Sequence, residues 1–247
     1  MTDAPKMVKE NVSRFDEDVR RTGSYAYTAD KLSSRYANRR ISQAIAHAFP
    51  FAGKRVLDLG CGDGTYSLEF FDHGAASVLG IDPAAAAVES AVQRAQSAGL
   101  GERARFEVGN IYDLDAQLAG REFDCVVLRG VLHHLPDPAR AVSCAARLAP
   151  VMIILEPNGY NPVLKLLERF SRYHVEHEER SFLPGTLRTW VRDAGMRVSA
   201  STHLNLVPMF CPDWMPKICR LAEPVVERVP GARELGCGQC LIVAQRA

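Results

Sequence analysis

The chain predicts an α/β fold built on a doubly wound parallel sheet, and three observations predict it. Short β-rich runs alternate with segments of helical spacing, the order that a parallel sheet with crossover helices requires. A glycine cluster follows the first buried run at once, where such sheets turn into a ligand-binding loop. At 247 residues, with 47% hydrophobic and 24% charged residues, the chain has the size and composition to close one core.

The elements follow in order. Ser34 to Phe49 has helical spacing, with Tyr36, Ile41, Ile45 and Ala48 on one face, and is a candidate lid or cap. Strand-like runs come at Arg55–Leu59, Ser77–Ile81, Ala104–Val108, Phe123–Leu128 and Val151–Leu155. Helices are expected at Ala84–Ala98 and Pro138–Leu148 between them. The alternation then breaks at Asn158–Leu183, which is rich in charge and aromatics, before a helix from Pro184 to Ala194 stops at Gly195. A second irregular stretch, Val207–Gly231, holds five prolines, and Cys240–Ala244 reads as the last strand. Insertions after the late strands of an open sheet lie over its carboxyl edge, so residues 158–183 and 207–231 are expected to build a substrate lid. One domain over residues 1–247 is the expectation.

Composition narrows the function. Thirty basic residues against 29 acidic ones leave a net charge of +1, too little field to hold a polyanion, so nucleic acid is not an expected partner. Met1 to Arg21 is polar, and Val151–Leu155 is far too short an apolar run to span a bilayer. A cytoplasmic protein without an integral membrane segment is expected. Seven cysteines are scattered through the chain, several inside apolar runs, as in a reduced compartment. The lone pair Cys237–Cys240 has no second pair at zinc spacing, and no metal is expected.

The chemistry concentrates in Val56–Thr65, where Asp58 ends a buried strand and glycines stand at 60, 62 and 64. Residues without side chains let the backbone turn sharply and approach a ligand closely. A nicotinamide fingerprint needs its third glycine at residue 65, which is Thr. The second run ends Gly80-Ile-Asp82-Pro83, with Asp82 lying 24 residues after Asp58. Such an acid either accepts from ribose hydroxyls or N-caps the helix that begins at Pro83. Asn110-Ile111 follows the third run, and its amide could contact a base or serve as a turn residue.

On these residues the chain resembles the class I S-adenosylmethionine-dependent methyltransferases, whose first motif has the form Asp/Glu-x-Gly-x-Gly-x-Gly. The fourth run, Phe123 to Arg129, and the following Val131-Leu-His133-His134-Leu-Pro-Asp137-Pro138 resemble the branch that methylates quinones, polyketides and sugars. Asn38-Arg39-Arg40-Ile41 resembles the segment before the first motif in quinone O-methyltransferases. The resemblance implies a Rossmann-like seven-stranded sheet with an antiparallel last strand, and a cofactor-binding core over residues 34–157. It implies cofactor contacts from Asp58, Gly60, Cys61, Gly62, Gly64, Asp82, Pro83, Asn110, Ile111 and Arg129, and an Arg40 that reaches the cofactor's carboxylate.

The expected reaction is methyl transfer from S-adenosylmethionine to an O- or N-nucleophile of a small molecule, leaving S-adenosylhomocysteine. A hydroxyl acceptor needs a general base, for which His133 and His134 are the candidates and His174 an alternative. Tyr25 and Tyr27 could close over the sulfonium with the N-terminal segment 1–33, and Phe210 and Trp214 could line an apolar acceptor pocket with His174. Tyr173–Glu179, rich in His and Glu, reads as a solvated helix face. Two rivals stand beside the enzyme. A non-catalytic cofactor-binding regulatory protein would keep Asp58 and Asp82 without an acceptor site, and an arsenite methyltransferase would need three converging thiols.

Overall fold

The computed structural model describes residues 31–170, 180–209 and 211–246. Helix α1 (Leu32–Ala48) leads into β1 (Arg55–Leu59), a 3-10 turn (Leu68–His73), β2 (Ser77–Asp82) and α2 (Ala85–Ser97). Next come β3 (Ala104–Val108), α3 (Leu114–Gln117), β4 (Cys125–Arg129), a second 3-10 turn (Leu132–His134), α4 (Pro138–Leu148) and β5 (Val151–Pro157). The chain ends with α5 (Pro162–Phe170), α6 (Pro184–Asp193), β6 (Met196–Leu204), α7 (Trp214–Val226), α8 (Ala232–Gly236) and β7 (Gln239–Arg246).

The seven strands are ordered β3-β2-β1-β4-β5-β7-β6. Strands β1 to β5 pair in parallel, while β7 runs antiparallel to both β5 and β6, as the resemblance implied. Because β1 pairs with β2 on one side and β4 on the other, the strand order reverses at β1. That reversal opens the crevice in which doubly wound sheets hold ligands.

Side-chain alternation sorts the strands onto two buried faces. Leu57, Leu59, Val126, Leu128, Met152 and Ile154 meet Ala141, Val142 and Ala145 of α4 and Leu187 and Val191 of α6. On the other face, Val56, Val127, Ile153 and Leu241 meet Ile41, Ala44 and Ile45 of α1. Helix α1 is therefore a layer of the sandwich rather than a lid, because its apolar stripe fits the sheet face and leaves nothing to cover the strand ends. Tyr36 falls outside that core, half-buried under the guanidinium of Arg220 at 4.8 Å. The serines at the start of α1 tie it to the chain after β6, with Ser33 Oγ donating to the Met209 carbonyl at 2.7 Å.

The two late insertions are more regular than their sequences suggest. Residues 158–183 contain α5, and 207–231 contain the 13-residue α7 with Pro224 inside it. Prolines in the first turns of a helix cost no hydrogen bond, which is why Pro162, Pro184 and Pro216 sit there. Gln239 pairs with Pro157 and with Leu204, so both insertions leave from the carboxyl edge of the sheet, where a lid was expected.

Candidate active site

The site is assembled by the turns that leave β1, β2, β4 and β5. After β1 the backbone reverses through Gly60, Gly62 and Gly64, at φ of 75°, 55° and 74°, a region that side chains disfavour. Gly60 has a second reason to lack one: a Cβ there would lie 2.4 Å from Val131 Cγ2. The glycine loop and the turn after β4 are thus in direct contact. Gly60 N and Cys61 N both donate to the Ile81 carbonyl, at 2.8 and 3.2 Å, which pins the loop to the end of β2.

Asp82 completes that attachment. Its Oδ2 accepts from Gly62 N at 2.9 Å and its Oδ1 from Ala84 N at 2.9 Å. The buried carboxylate is neither a simple helix cap nor a pure ligand group; it clamps the loop to the start of α2 while facing the crevice end of the strand. Pro83 beside it is exposed. A second acid, Asp63, is bound from the other side by Arg94 of α2 at 3.3 Å.

Asp58 is buried, and Ser67 Oγ donates to its Oδ2 at 2.5 Å. Burial pushes its carboxyl up to about 6 from the usual 3.8, opposed by the Ser67 hydrogen bond and the positive charge of Arg129. The Cys61 thiol is held well above its ordinary value by burial and by the neighbouring Asp82 and Asp58, so it is a packing residue of the loop rather than a nucleophile.

Arg129, at the end of β4, reaches over the same loop. Its guanidinium lies 3.6 Å from the centre of the Tyr66 ring and donates to Ser42 Oγ at 3.0 Å. Glu69 stands 3.8 Å away. Arg40 has a different partner from the one expected. Its Nε donates to Glu227 Oε1 at 3.0 Å and its Nη2 to Oε2, so it fastens α1 to the end of α7. Asn110 is exposed and its Oδ1 accepts from Tyr112 N at 3.1 Å, the turn role, while Ile111 is buried in the core.

The 3-10 turn after β4 carries the histidines. His133 is buried, with Nδ1 2.7 Å from Glu156 Oε2. The other oxygen of Glu156 accepts from the amides of Val131 at 2.9 Å and Leu132 at 2.7 Å. Glu156 is fully buried at the end of β5, beside β4 in the sheet. A carboxylate on Nδ1–H fixes the imidazole orientation and makes Nε2 the basic nitrogen. The His134 ring packs against that of His133 with centroids 3.9 Å apart.

Sequence reasoning did not foresee Ser67, Tyr66, the Asp63–Arg94 pair, Glu227 or the role of Glu156. Glu156 had a signal, an acid ending a buried strand as Asp58 and Asp82 do. Of the expected acceptor residues, Tyr27, His174 and Phe210 lie outside the described residues, as do Tyr25 and the 173–179 cluster. Trp214 was expected over an acceptor pocket; it is 60% exposed at the start of α7, because the inner side of that helix is taken by Pro216 and Glu223.

Comparison with known proteins identifies the family of the chain. A model of a methyltransferase-domain family matches residues 33–201. An uncharacterised protein of Synechococcus is 41% identical over 99 residues, 39% of this chain and 23% of that protein. The ubiquinone biosynthesis O-methyltransferase of Thiobacillus denitrificans is 31% identical over 175 residues, 65% of this chain and 72% of the relative. Among solved structures, the cyclase SpnF superposes with a TM-score of 0.67 at 19% identity, covering 96% of this chain and 92% of that one. The magnesium protoporphyrin IX methyltransferase of Synechocystis with bound S-adenosylhomocysteine gives 0.65 at 18% identity, covering 96% of each. At those identities the structural likeness is one of fold.

Proposed function

The chain belongs to the class I S-adenosylmethionine-dependent methyltransferases, and from that membership we propose that it methylates a hydroxyl oxygen of a small-molecule acceptor. The observation that carries the oxygen is the His133–Glu156 pair at 2.7 Å, one turn from the glycine loop. An amine already neutral or a thiol already ionised can attack without such a base, whereas a hydroxyl must lose its proton as the bond to carbon forms. Ubiquinone biosynthesis O-methyltransferases, with which the chain shares 31% identity, act on acceptors of this kind by name.

The residues of the site fit the cofactor. Three glycines in left-handed conformation leave every second position of the loop without a side chain, and Asp58 and Asp82 stand at adjacent strand ends. When bound, S-adenosylmethionine supplies a methyl group on a sulfonium, ready for displacement. In this reading Asp58 accepts from the cofactor's ammonium and Asp82 accepts from the ribose hydroxyls. Arg129, over Tyr66, takes the carboxylate in place of the committed Arg40. Ile111 and Asn110 border the base. His133 Nε2 receives the acceptor's proton, and Glu156, holding Nδ1, stabilises the resulting imidazolium. The relative's quinone chemistry and the apolar residues of the late insertions both favour an aromatic acceptor.

A panel of phenolic, enolic, amine and thiol metabolites, followed by methyl transfer from labelled cofactor, tests the reading. Phenolic or enolic acceptors should turn over with an ascending pH limb that disappears in His133→Ala, together with a loss of about 10²- to 10⁴-fold in kcat. Glu156→Gln should lower kcat and shift that limb while binding S-adenosylhomocysteine normally. Full turnover in His133→Ala and His134→Ala alike, or activity confined to amines and thiols, would overturn the assignment.

A further inference from the structure

We propose that the outer face of α7 docks the protein on an anionic lipid surface. An ordinary surface helix turns its apolar residues inward and its charges outward; α7 does the reverse. Trp214, Ile218, Leu221 and Val225 recur at spacings of four, three and four residues, which places them on one face, and they are 60%, 59%, 83% and 63% exposed. The acids of this segment point the other way. Glu223 is buried and accepts from Leu206 N at 2.9 Å, while Glu227 accepts from Asn205 N at 2.9 Å and from Arg40. These bonds hold the polar side of the helix against the body of the protein and fix which side looks out.

The charges left on the outside are cations. Lys217 and Arg228 are exposed beside the apolar stripe, and Arg220 lies exposed over Tyr36. Among the described residues of α7 no exposed acid accompanies them, the nearest being Asp213 at the helix entrance. Apolar side chains flanked by Lys and Arg, with a tryptophan at one end, suit the boundary between headgroups and acyl chains. A second copy of this chain is the poorer occupant, because two such faces would bring cations together with no acid to pair them. No described helix is long and apolar enough to cross a membrane, so the attachment is peripheral.

The test uses the full chain and sedimentation with vesicles of phosphatidylcholine, alone or with about a third phosphatidylglycerol. Binding should be selective for the anionic vesicles and weaken with salt. In a Trp190→Phe background, emission from Trp214 should shift to the blue on binding. The double variant Ile218→Ser/Leu221→Ser should lose more than about tenfold in vesicle affinity. Lys217→Glu/Arg228→Glu should abolish the preference for anionic lipid, and both variants should bind S-adenosylhomocysteine with unchanged heat. Absence of vesicle binding and of any emission shift would overturn the proposal. So would undiminished binding by the serine variant, or a dimer in light scattering that this variant dissociates without any lipid dependence.

Discussion

Asp58 carries the most direct pH dependence of the site. Its folded carboxyl titrates near 6 against the usual 3.8, so the folded chain holds a proton that the unfolded chain releases between those values. Stability from this group is therefore full below about pH 4 and is lost as pH rises through 6, by roughly 3 kcal/mol at most. Asp58→Asn should raise the melting temperature of the ligand-free protein at pH 7.5 relative to wild type, as calorimetry would read. Affinity for S-adenosylhomocysteine should run the other way in wild type. The ammonium wants the carboxylate, so affinity should fall up to about tenfold per pH unit below 6, and titration calorimetry at pH 5 and 7.5 should show no such fall in Asp58→Asn. Asp82 differs because it accepts from a loop amide, Gly62 N, and from Ala84 N at the start of α2. Asp82→Ala should lose cofactor affinity and also destabilise the empty protein, by about 1 to 3 kcal/mol for the orphaned groups. Loss of affinity without loss of stability would show that the loop keeps its shape unaided.

At the scale of elements, the joint between α1 and α7 is a long-range one. Arg40 and Glu227 meet across 187 residues of sequence, and Glu227 also holds the amide that follows β6. Arg40→Ala should lower the unfolding free energy by about 1 to 3 kcal/mol, as denaturant titration would read, and leave S-adenosylhomocysteine affinity within a factor of two. A large loss of affinity with little loss of stability would return Arg40 to the cofactor's carboxylate. The turn after β4 shows the opposite arrangement, in which neighbouring strands bring Glu156 under the amides and the imidazole of residues 131–133. Glu156 ends β5 and His133 lies in the turn just past β4, and adjacency of β4 and β5 is what joins them.

For the whole molecule, the glycine loop links β1, β2, α2 and the turn after β4, so cofactor binding should be felt by the fold as a unit. S-adenosylhomocysteine at 100 times its dissociation constant should stabilise the protein by about 2.7 kcal/mol in thermal unfolding, and NAD should give none. Stabilisation by NAD alone would mean that the loop accommodates a pyrophosphate despite Thr65.

Strand and helix positions were legible because each is written within a few residues: a buried run, an acid at its end, a glycine where φ turns positive, a proline in a first turn. Ala104–Val108 and Pro138–Leu148 match their expected bounds for that reason, and the motif at 58–64 carries the resemblance that names the donor chemistry. What the sequence could not settle is which distant groups meet. Arg40 pairs with Glu227 and His133 with Glu156. Trp214 faces outward because the other side of its helix is occupied. Each outcome depends on the order of strands in the sheet and on which face of a helix the sheet edge accepts, and neither is encoded in a local window of residues.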